Sequence, residues 1–193
     1  MIQVLTEQDY KKMPWKNGQG FTLEVARSHG EGLDDFDWRI SIADVKAAGA
    51  FSFFPDRQRI IGVLEGVGLT LQVDKKAPIT LQQKQFFAFH GESEVYAELV
   101  DGAIRDFNLI YNPQKYRARL QWLNAQSVMS WISDASHVLI FNHTKLLDIV
   151  INMEQYSLKG FETLLVTNNC QPLQFTTSQQ LNRDFCIIEL FIK

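Results

Sequence analysis

Short apolar runs, rich in Val, Ile, Phe and Leu and separated by Gly, Asp, Asn or Pro, recur along this chain of 193 residues. Such runs favour β-strands, because branched and aromatic side chains suit a pleated surface and the residues between them suit tight turns. A helical period is almost absent, so we predict an all-β protein built as sandwiches or barrels. The predicted strands are residues 20–26, 38–45, 59–65, 69–73, 79–81, 85–89, 95–100, 104–110, 138–141, 147–152, 154–158, 162–167, 173–176 and 185–192.

The strand rhythm is interrupted at residues 114–135, where the sequence predicts a helix or a connecting segment. A turn at Asn112 and Pro113 precedes it, so we divide the chain into a first half, 1–112, and a second half, 113–193. No low-complexity linker separates the halves, and residues 1–193 are expected to form one unit of two packed barrels. The C-terminal run is apolar on both faces, and we expect it inside a sheet shared by the halves, since an exposed edge would aggregate.

The charge balance excludes several classes of partner. The net charge is −3 with acids and bases mixed, which gives no electrostatic reason to expect nucleic acid or an anionic membrane. The N-terminus lacks the features of a signal peptide, and no run approaches the roughly 20 apolar residues of a membrane span. The two cysteines, Cys170 and Cys186, form no CxxC pair. We therefore expect a protein of the reducing cytoplasm.

At least three of the predicted strands carry polar residues at positions flanked by apolar ones. Side chains alternate between the two faces of a strand, which fixes the residues that share a face. Burying an unpaired charge costs several kcal/mol, so these groups should pair with one another or face a polar ligand. The residues concerned are Arg39 and Ser41, Arg59, and Asp106 and Asn108.

Two alternatives follow for this polar face. In the first, the arginines form structural ion pairs that fix the register of the barrel; the candidate partners are Asp106, Glu24 and Glu65. In the second, the polar residues converge on an apolar-walled cavity that binds a small carboxylate, whose two oxygens match the planar fork of Arg. The predicted ligand-binding residues are Arg39, Ser41, Ser52, Arg59, Asp106 and Asn108.

Asn17 is a further candidate, immediately before Gly18 and a predicted strand. Asn-Gly is a strong turn pair, but the Asn17 amide could equally face the mouth of a cavity, and both alternatives stay open. The histidines lack a metal-ligand spacing, no Ser lies in a G-x-S-x-G context, and no Gly-rich phosphate loop is present. We therefore predict no catalytic residue, no metal and no cofactor.

Four motifs taken together resemble the HutD/Ves family. They are PWKNGQGFTLEVA (14–26), FDWRISIADVKAAGAFSFFPDRQRIIGVLEGVG (36–68), FFAFHGE (86–92) and DGAIRDFNLIY (101–111). The resemblance implies a bicupin, a pair of cupin-type β-barrels in one chain. It also implies a link to histidine utilisation through binding of a pathway acid such as urocanate or formylglutamate, or, for Ves-like members, a link to stress.

The cupin resemblance can be followed to individual positions. Counting back from Gly66, the positions that carry two His and a Glu in a metal cupin hold Ser52, Phe54 and Arg59. Replacing Glu with Arg reverses the charge, which would repel a cation and attract an anion. Asp56 departs from the family pattern, which has Gly there, and this suggests a tolerated or altered turn.

Three functions compete on these grounds. The first is a non-enzymatic binding protein for a small organic acid, which we favour over an enzyme. The second is a metal-dependent cupin dioxygenase or isomerase with an atypical ligand set, for which the candidates are His90, Glu94 and Asp106. The third is an interaction module in which a sheet face or edge forms a homodimer; this is compatible with the first.

Overall fold

The computed structural model describes residues 1–14, 21–32, 34–178 and 183–193. All regular elements in these ranges are β-strands, which confirms the all-β prediction. Nothing in the described part of the chain is a helix long and apolar enough to cross a membrane. The chain divides into two compact units, a first unit of Tyr10–Gln114 and a second unit of Met1–Asp9 with Lys115–Lys193.

The first unit contains two antiparallel sheets. The six-stranded sheet has, in spatial order, β2 (Lys11–Pro14), β3 (Phe21–Arg27), β4 (Trp38–Val45), β11 (Ile104–Tyr111), β6 (Gln58–Glu65) and β9 (Phe86–His90). The four-stranded sheet has β5 (Gly49–Ala50), β10 (Val95–Leu99), β7 (Leu69–Val73) and β8 (Ile79–Leu81). Their inward apolar side chains share one hydrophobic cluster, so the two sheets face each other across a common core.

Strand β6 contributes both apolar side chains and the polar Arg59 to the interior of the first unit, because alternate residues share one face. On β6, Ile61 and Val63 are fully buried in that cluster with Leu69 and Leu71 of β7. The turn between β6 and β7 needs Gly66, because its φ is +98° and a Cβ there would lie 2.8 Å from the Ala103 carbonyl oxygen. The apolar cluster around β6 and β7 occupies one part of the interior of the first unit. The remaining part is available for the polar residues on the same face of β6.

The second unit has the same two-sheet plan. Its five-stranded sheet has β1 (Ile2–Leu5), β17 (Thr163–Thr167), β14 (His137–Asn142), β19 (Asp184–Ile192) and β12 (Tyr116–Asn124) in spatial order. Its four-stranded sheet has β13 (Ser130–Ser133), β18 (Leu173–Thr177), β15 (Leu146–Ile151) and β16 (Glu154–Lys159). Both sheets contribute fully buried aliphatic and aromatic side chains to one cluster, so apolar packing holds this unit together.

Three expectations about particular segments were wrong. Residues 114–135 contain β12 and β13 rather than a helix, because β12 is held by nine consecutive antiparallel pairings with β19. The C-terminal strand β19 does not lie in a sheet shared by the halves, since both of its neighbours, β12 and β14, belong to the second unit. The N-terminal strand β1 pairs with β17, so it belongs to the second unit and not to the first half.

Candidate functional site

A cavity of about 560 Å³ lies within the first unit. Its floor is the inward face of β4, β6 and β11, and residues 47–54 cover one side of it. The structure brings six predicted site residues together in its lining: Arg39, Ser41, Ser52, Arg59, Asp106 and Asn108. Their role in ligand binding stays a prediction, and Asn17 lies outside the described residues.

The strand register explains why these side chains meet. In an antiparallel sheet, residues directly opposite one another point to the same face. Ile110 on β11 lies opposite Arg39 of β4 on one side and Arg59 of β6 on the other. Asn108 lies opposite Ser41 in the next inward row, so period-two alternation places both arginines and both small polar residues on one floor.

Arg59 is the best-defined group in the cavity and is only 6% exposed. Its Nη2 donates to Asn108 Oδ1 at 2.9 Å, and its Nη1 donates to the Ser52 carbonyl oxygen at 3.1 Å. Its Nε is buried and makes no hydrogen bond to any described residue. The guanidinium carbon also lies 4.9–5.5 Å from the centres of three aromatic rings, those of Phe51, Phe54 and Phe89. Burial lowers the pKa of Arg59 to about 10, so it remains a cation at neutral pH.

Arg39 forms the second cationic corner of the floor. Its guanidinium carbon lies 4.7 Å from the Phe36 ring centre and 5.2 Å from that of Phe54. Burial lowers its pKa, and the nearby Glu24 carboxylate opposes that effect. Aromatic faces attract a cation through their negative quadrupole, so these rings help to hold the guanidinium of Arg39 in place, as three rings do for Arg59.

Two carboxyl groups line the cavity, those of Asp34, which is exposed, and of Asp106, which is buried. The second is the acidic group of the floor. It is 3% exposed, and burial raises its pKa to about 7, although the Arg59 charge and the Asn108 side chain both lower it. Its Oδ1 is buried without a hydrogen bond among the described residues. Asp106 is therefore not fully ionised at neutral pH and only partly offsets the charge of the arginines.

The structural alternative predicted ion pairs between these arginines and nearby carboxylates. Two of the candidate carboxylates pair with other arginines: Glu24 lies 3.6 Å from Arg27, and Glu65 lies 3.7 Å from Arg105. The hydrogen bonds of Arg59 go to neutral oxygens instead. A buried cation bound to neutral acceptors retains most of its charge for an incoming anion.

The positions that correspond to cupin metal ligands do come together. Ser52, Phe54 and Arg59 all line the cavity, with the Ser52 backbone hydrogen-bonded to Arg59. The alternative ligand set is not assembled: His90 is exposed and its Nδ1 contacts Gln58 Nε2, whereas the Glu94 carboxylate pairs with Lys75 at 3.7 Å. Across residues 1–14, 21–32, 34–178 and 183–193 there is no group of three or more His, Cys, Asp or Glu suited to a metal.

In the covering segment, residues 47–54, sequence reasoning identified only Ser52 as a ligand-binding residue. The Phe51 amide donates to the carbonyl of Val95 on β10, and the Phe54 amide donates to the carbonyl of Gly91, the residue after β9. Phe53, between these two hydrogen bonds, lines the cavity yet is 62% exposed. The run of aromatic residues after Gly49 was the available signal, because apolar side chains outside a regular strand often mark a ligand-binding rim.

Asp56, two residues after the covering segment, adopts the conformation that glycine usually provides. Its φ is +55°, in the left-handed region, and its amide donates to Glu92 Oε1 at 3.2 Å. Aspartate tolerates this region better than most residues, which explains how the turn survives without the expected glycine.

The pairs of facing antiparallel sheets and the arginine-lined cavity define a cupin-fold protein whose first unit has a polar pocket. Salicylate 1,2-dioxygenase from Pseudoaminobacter salicylatoxidans shares the fold at 10% identity, with a TM-score of 0.63 over 98% of this chain and 81% of the other. The chain matches the HutD family over residues 7–183 and belongs to that family.

The relatives agree with this assignment. The Pseudomonas putida "uncharacterized 21.2 kDa protein in hutC 3′region" is 46% identical over 98% of this chain and 97% of its own length. HutD from Pseudomonas fluorescens SBW25, whose structure was solved in a formate condition, is 40% identical with a TM-score of 0.84 over all of both chains. The conserved protein PA5104 from Pseudomonas aeruginosa PAO1, of unknown function, is 43% identical with a TM-score of 0.94 over 99% of each. Protein Ves of Escherichia fergusonii is 37% identical over 58% of this chain and 61% of its own length.

Proposed function

We propose that this protein binds a small organic acid without transforming it, and that binding modulates histidine utilisation. The proposal rests on Arg59. Its guanidinium is buried in the wall of the cavity, and its Nε has no hydrogen-bond partner among the described residues. A carboxylate presents two oxygens in the plane of such a fork and forms charge-assisted hydrogen bonds with it.

The electrostatics of the cavity favour an anion. Removing a guanidinium from water costs several kcal/mol, and the attraction of an opposite charge in the same site offsets that cost. Glu24 and Asp34 act on the charge of Arg39, whereas the charge of Arg59 is opposed only by Asp106, which is not fully ionised at neutral pH. An acid bound beside Arg59 brings the local charge closer to balance.

The size of the cavity is appropriate for a metabolite. Small-molecule sites usually occupy roughly 300–1,000 Å³, and this cavity measures about 560 Å³. The aromatic rings of Phe51 and Phe54 give it apolar walls. An acid with a short carbon skeleton or a small ring would fit such a space.

The pathway is suggested by the names of the relatives. The P. putida protein is described by its position in the hutC 3′ region, and the P. fluorescens protein is called HutD. Urocanate and formylglutamate are acids of histidine breakdown, and they satisfy the charge and size of the cavity. In this proposal the protein senses one of these acids in the cytoplasm and adjusts the flux of the pathway.

A thermal-shift screen tests the proposal. The ligands are urocanate, formylglutamate, glutamate and histidine, and the proteins are the wild type and Arg59→Ala. A ligand at a hundredfold excess over its Kd stabilises the native state by about 2.7 kcal/mol, so a weak ligand is still detected. We expect urocanate or formylglutamate to raise the melting temperature of the wild type and to leave that of the variant unchanged.

Arg105→Ala is the matched control. Arg105 lies next to Asp106 on β11 but points to the opposite face, where its Nε donates to Asp44 Oδ1 at 2.8 Å. This variant should keep the ligand-induced shift. Arg59→Met replaces the alanine variant if the latter does not fold, because Met keeps most of the side-chain volume. The absence of a shift with every acid, in a folded wild type, would refute the proposal.

A further inference from the structure

We propose that the ligand carries, besides its carboxylate, a neutral N–H group that donates a hydrogen bond to Asp106, and that the cavity thereby selects such acids over plain carboxylates. The carboxylate end of this inference rests on the proposed function. The N–H end rests on a separate observation, the position and bonding of the Asp106 carboxyl group.

Asp106 has one oxygen with no donor. The carboxyl group interacts with the Asn108 side chain and with the backbone of Ala43. Asp106 lines the cavity, and its Oδ1 is buried and has no hydrogen-bond partner among the described residues. Buried polar atoms in native proteins almost always have a partner, and an orphan in a cavity indicates where a ligand or water donates.

The two ends of the site are linked by a single side chain. Asn108 accepts a hydrogen bond from Arg59 through its Oδ1 at 2.9 Å, and it lies two residues from Asp106 on the same face of β11, where its side chain lowers the pKa of Asp106. The cation and the orphan acceptor are therefore separated by one amide group along the cavity floor. A ligand that spans this amide places its carboxylate at Arg59 and its donor at Asp106, with only a few bonds between them.

The charge of the site restricts the donor. An ammonium group near Asp106 would also lie near the guanidinium of Arg59, whose charge already acts on that carboxyl group, and Arg39 adds a second positive charge on the same floor. Like charges in a buried site repel strongly. A neutral ring or amide N–H avoids this cost, so the class of ligand is an acid with a heteroaromatic or amide N–H and not a free amino acid.

A pair of isosteric acids tests the inference. The probes are 3-(pyrrol-2-yl)acrylate and 3-(furan-2-yl)acrylate, which differ only in a ring N–H replaced by oxygen. Neither ring titrates near neutral pH, so charge is the same in both. By isothermal titration calorimetry at pH 8, we expect the wild type to bind the pyrrole acid at least tenfold more tightly, since the furan oxygen would face an acceptor and leave it unpaired.

Substitutions then assign the preference to Asp106. In Asp106→Ala the ratio of the two affinities should fall below about twofold, while Arg59 still binds both acids. Asp106→Asn is the substitute if the alanine variant does not fold, because Asn keeps the side-chain volume and one weaker acceptor. Its ratio of the two affinities should be at least threefold below that of the wild type. Asp44→Asn, which alters a carboxylate on the other face of β4, should keep the full ratio.

The outcomes separate the two proposals. If neither acid, nor any other carboxylate, binds, the proposed function fails. If the acids bind with equal affinity to the wild type, or if the pyrrole preference persists in Asp106→Ala, acid binding stands and the assignment of an N–H site to Asp106 is overturned.

Discussion

The substitution Asp106→Asn should remove a loss of stability that the wild type suffers as pH rises. The pKa of Asp106 is raised by burial from 3.8 to about 7. Between these values the folded state holds a proton that the unfolded state has released, so the free energy of unfolding falls as pH rises from about 4 to about 7. Asparagine does not titrate, so the variant lacks this loss.

The magnitude follows from the size of the shift. Each pKa unit corresponds to about 1.4 kcal/mol, and a rise from 3.8 to about 7 therefore costs the wild type roughly 4 kcal/mol above pH 7. The difference in unfolding free energy between Asp106→Asn and the wild type should be small at pH 4.5 and should favour the variant by roughly 4 kcal/mol at pH 8.5. Arg59 adds no slope in this range, since it is charged below its own pKa of about 10.

Urea unfolding followed by circular dichroism at five pH values between 4.5 and 8.5 measures this difference. His137 has a pKa lowered by burial, which destabilises the folded state towards acid pH, but its effect is common to both proteins and cancels. Asp44→Asn is the matched control and should cost no more than about 1 kcal/mol, because the ion pair it removes is partly exposed. A difference between Asp106→Asn and the wild type that does not change with pH would refute the reasoning.

Three further predictions concern residues outside the candidate site. Asn142→Ala should cost about 2–4 kcal/mol in urea unfolding, since the Asn142 amide nitrogen donates to three backbone carbonyls that would lose their donor; a cost below 1 kcal/mol would contradict this. Arg119→Ala should cost about 2 kcal/mol, because it leaves the charge of Glu189, which is 1% exposed, buried without its partner. Glu189→Gln should cost less, since the charge of Arg119 that it leaves is half exposed to water; the reverse order would contradict this. Gly62→Ala should cost about 1–3 kcal/mol, as a Cβ there would lie 2.5 Å from the Phe86 ring; an unchanged melting temperature would show that this ring moves freely.

Period-two alternation predicted most of the fold and the floor of the cavity. Each predicted strand coincides with an observed strand to within a residue or two. The same rule predicted that Arg39, Ser41 and Asn108 share one face, because the direction of a side chain follows from its position along the strand. The family resemblance also led to the HutD family directly.

The elements that were missed depend on distant partners. Strand β12 contains helix-favouring residues such as Arg117, Ala118 and Leu120, and it is a strand because β19 pairs with it. Strand β1 is short, and it is a strand because it pairs with β17. The aromatic rings around Arg59 come from separate segments, so spacing in the sequence could not bring Phe51 and Phe89 to the same guanidinium.

The pairing of β1 with β17 has a consequence for synthesis of the chain. Ile2 lies opposite Val166, so β1 waits during synthesis for a partner made 164 residues later. At about 5–20 residues per second, that interval lasts roughly ten to thirty seconds. All strands of the first unit emerge within the interval and can fold while β1 is still unpaired. A fragment that starts at Lys115 would lack β1 and leave one side of β17 open, a ready template for association between copies.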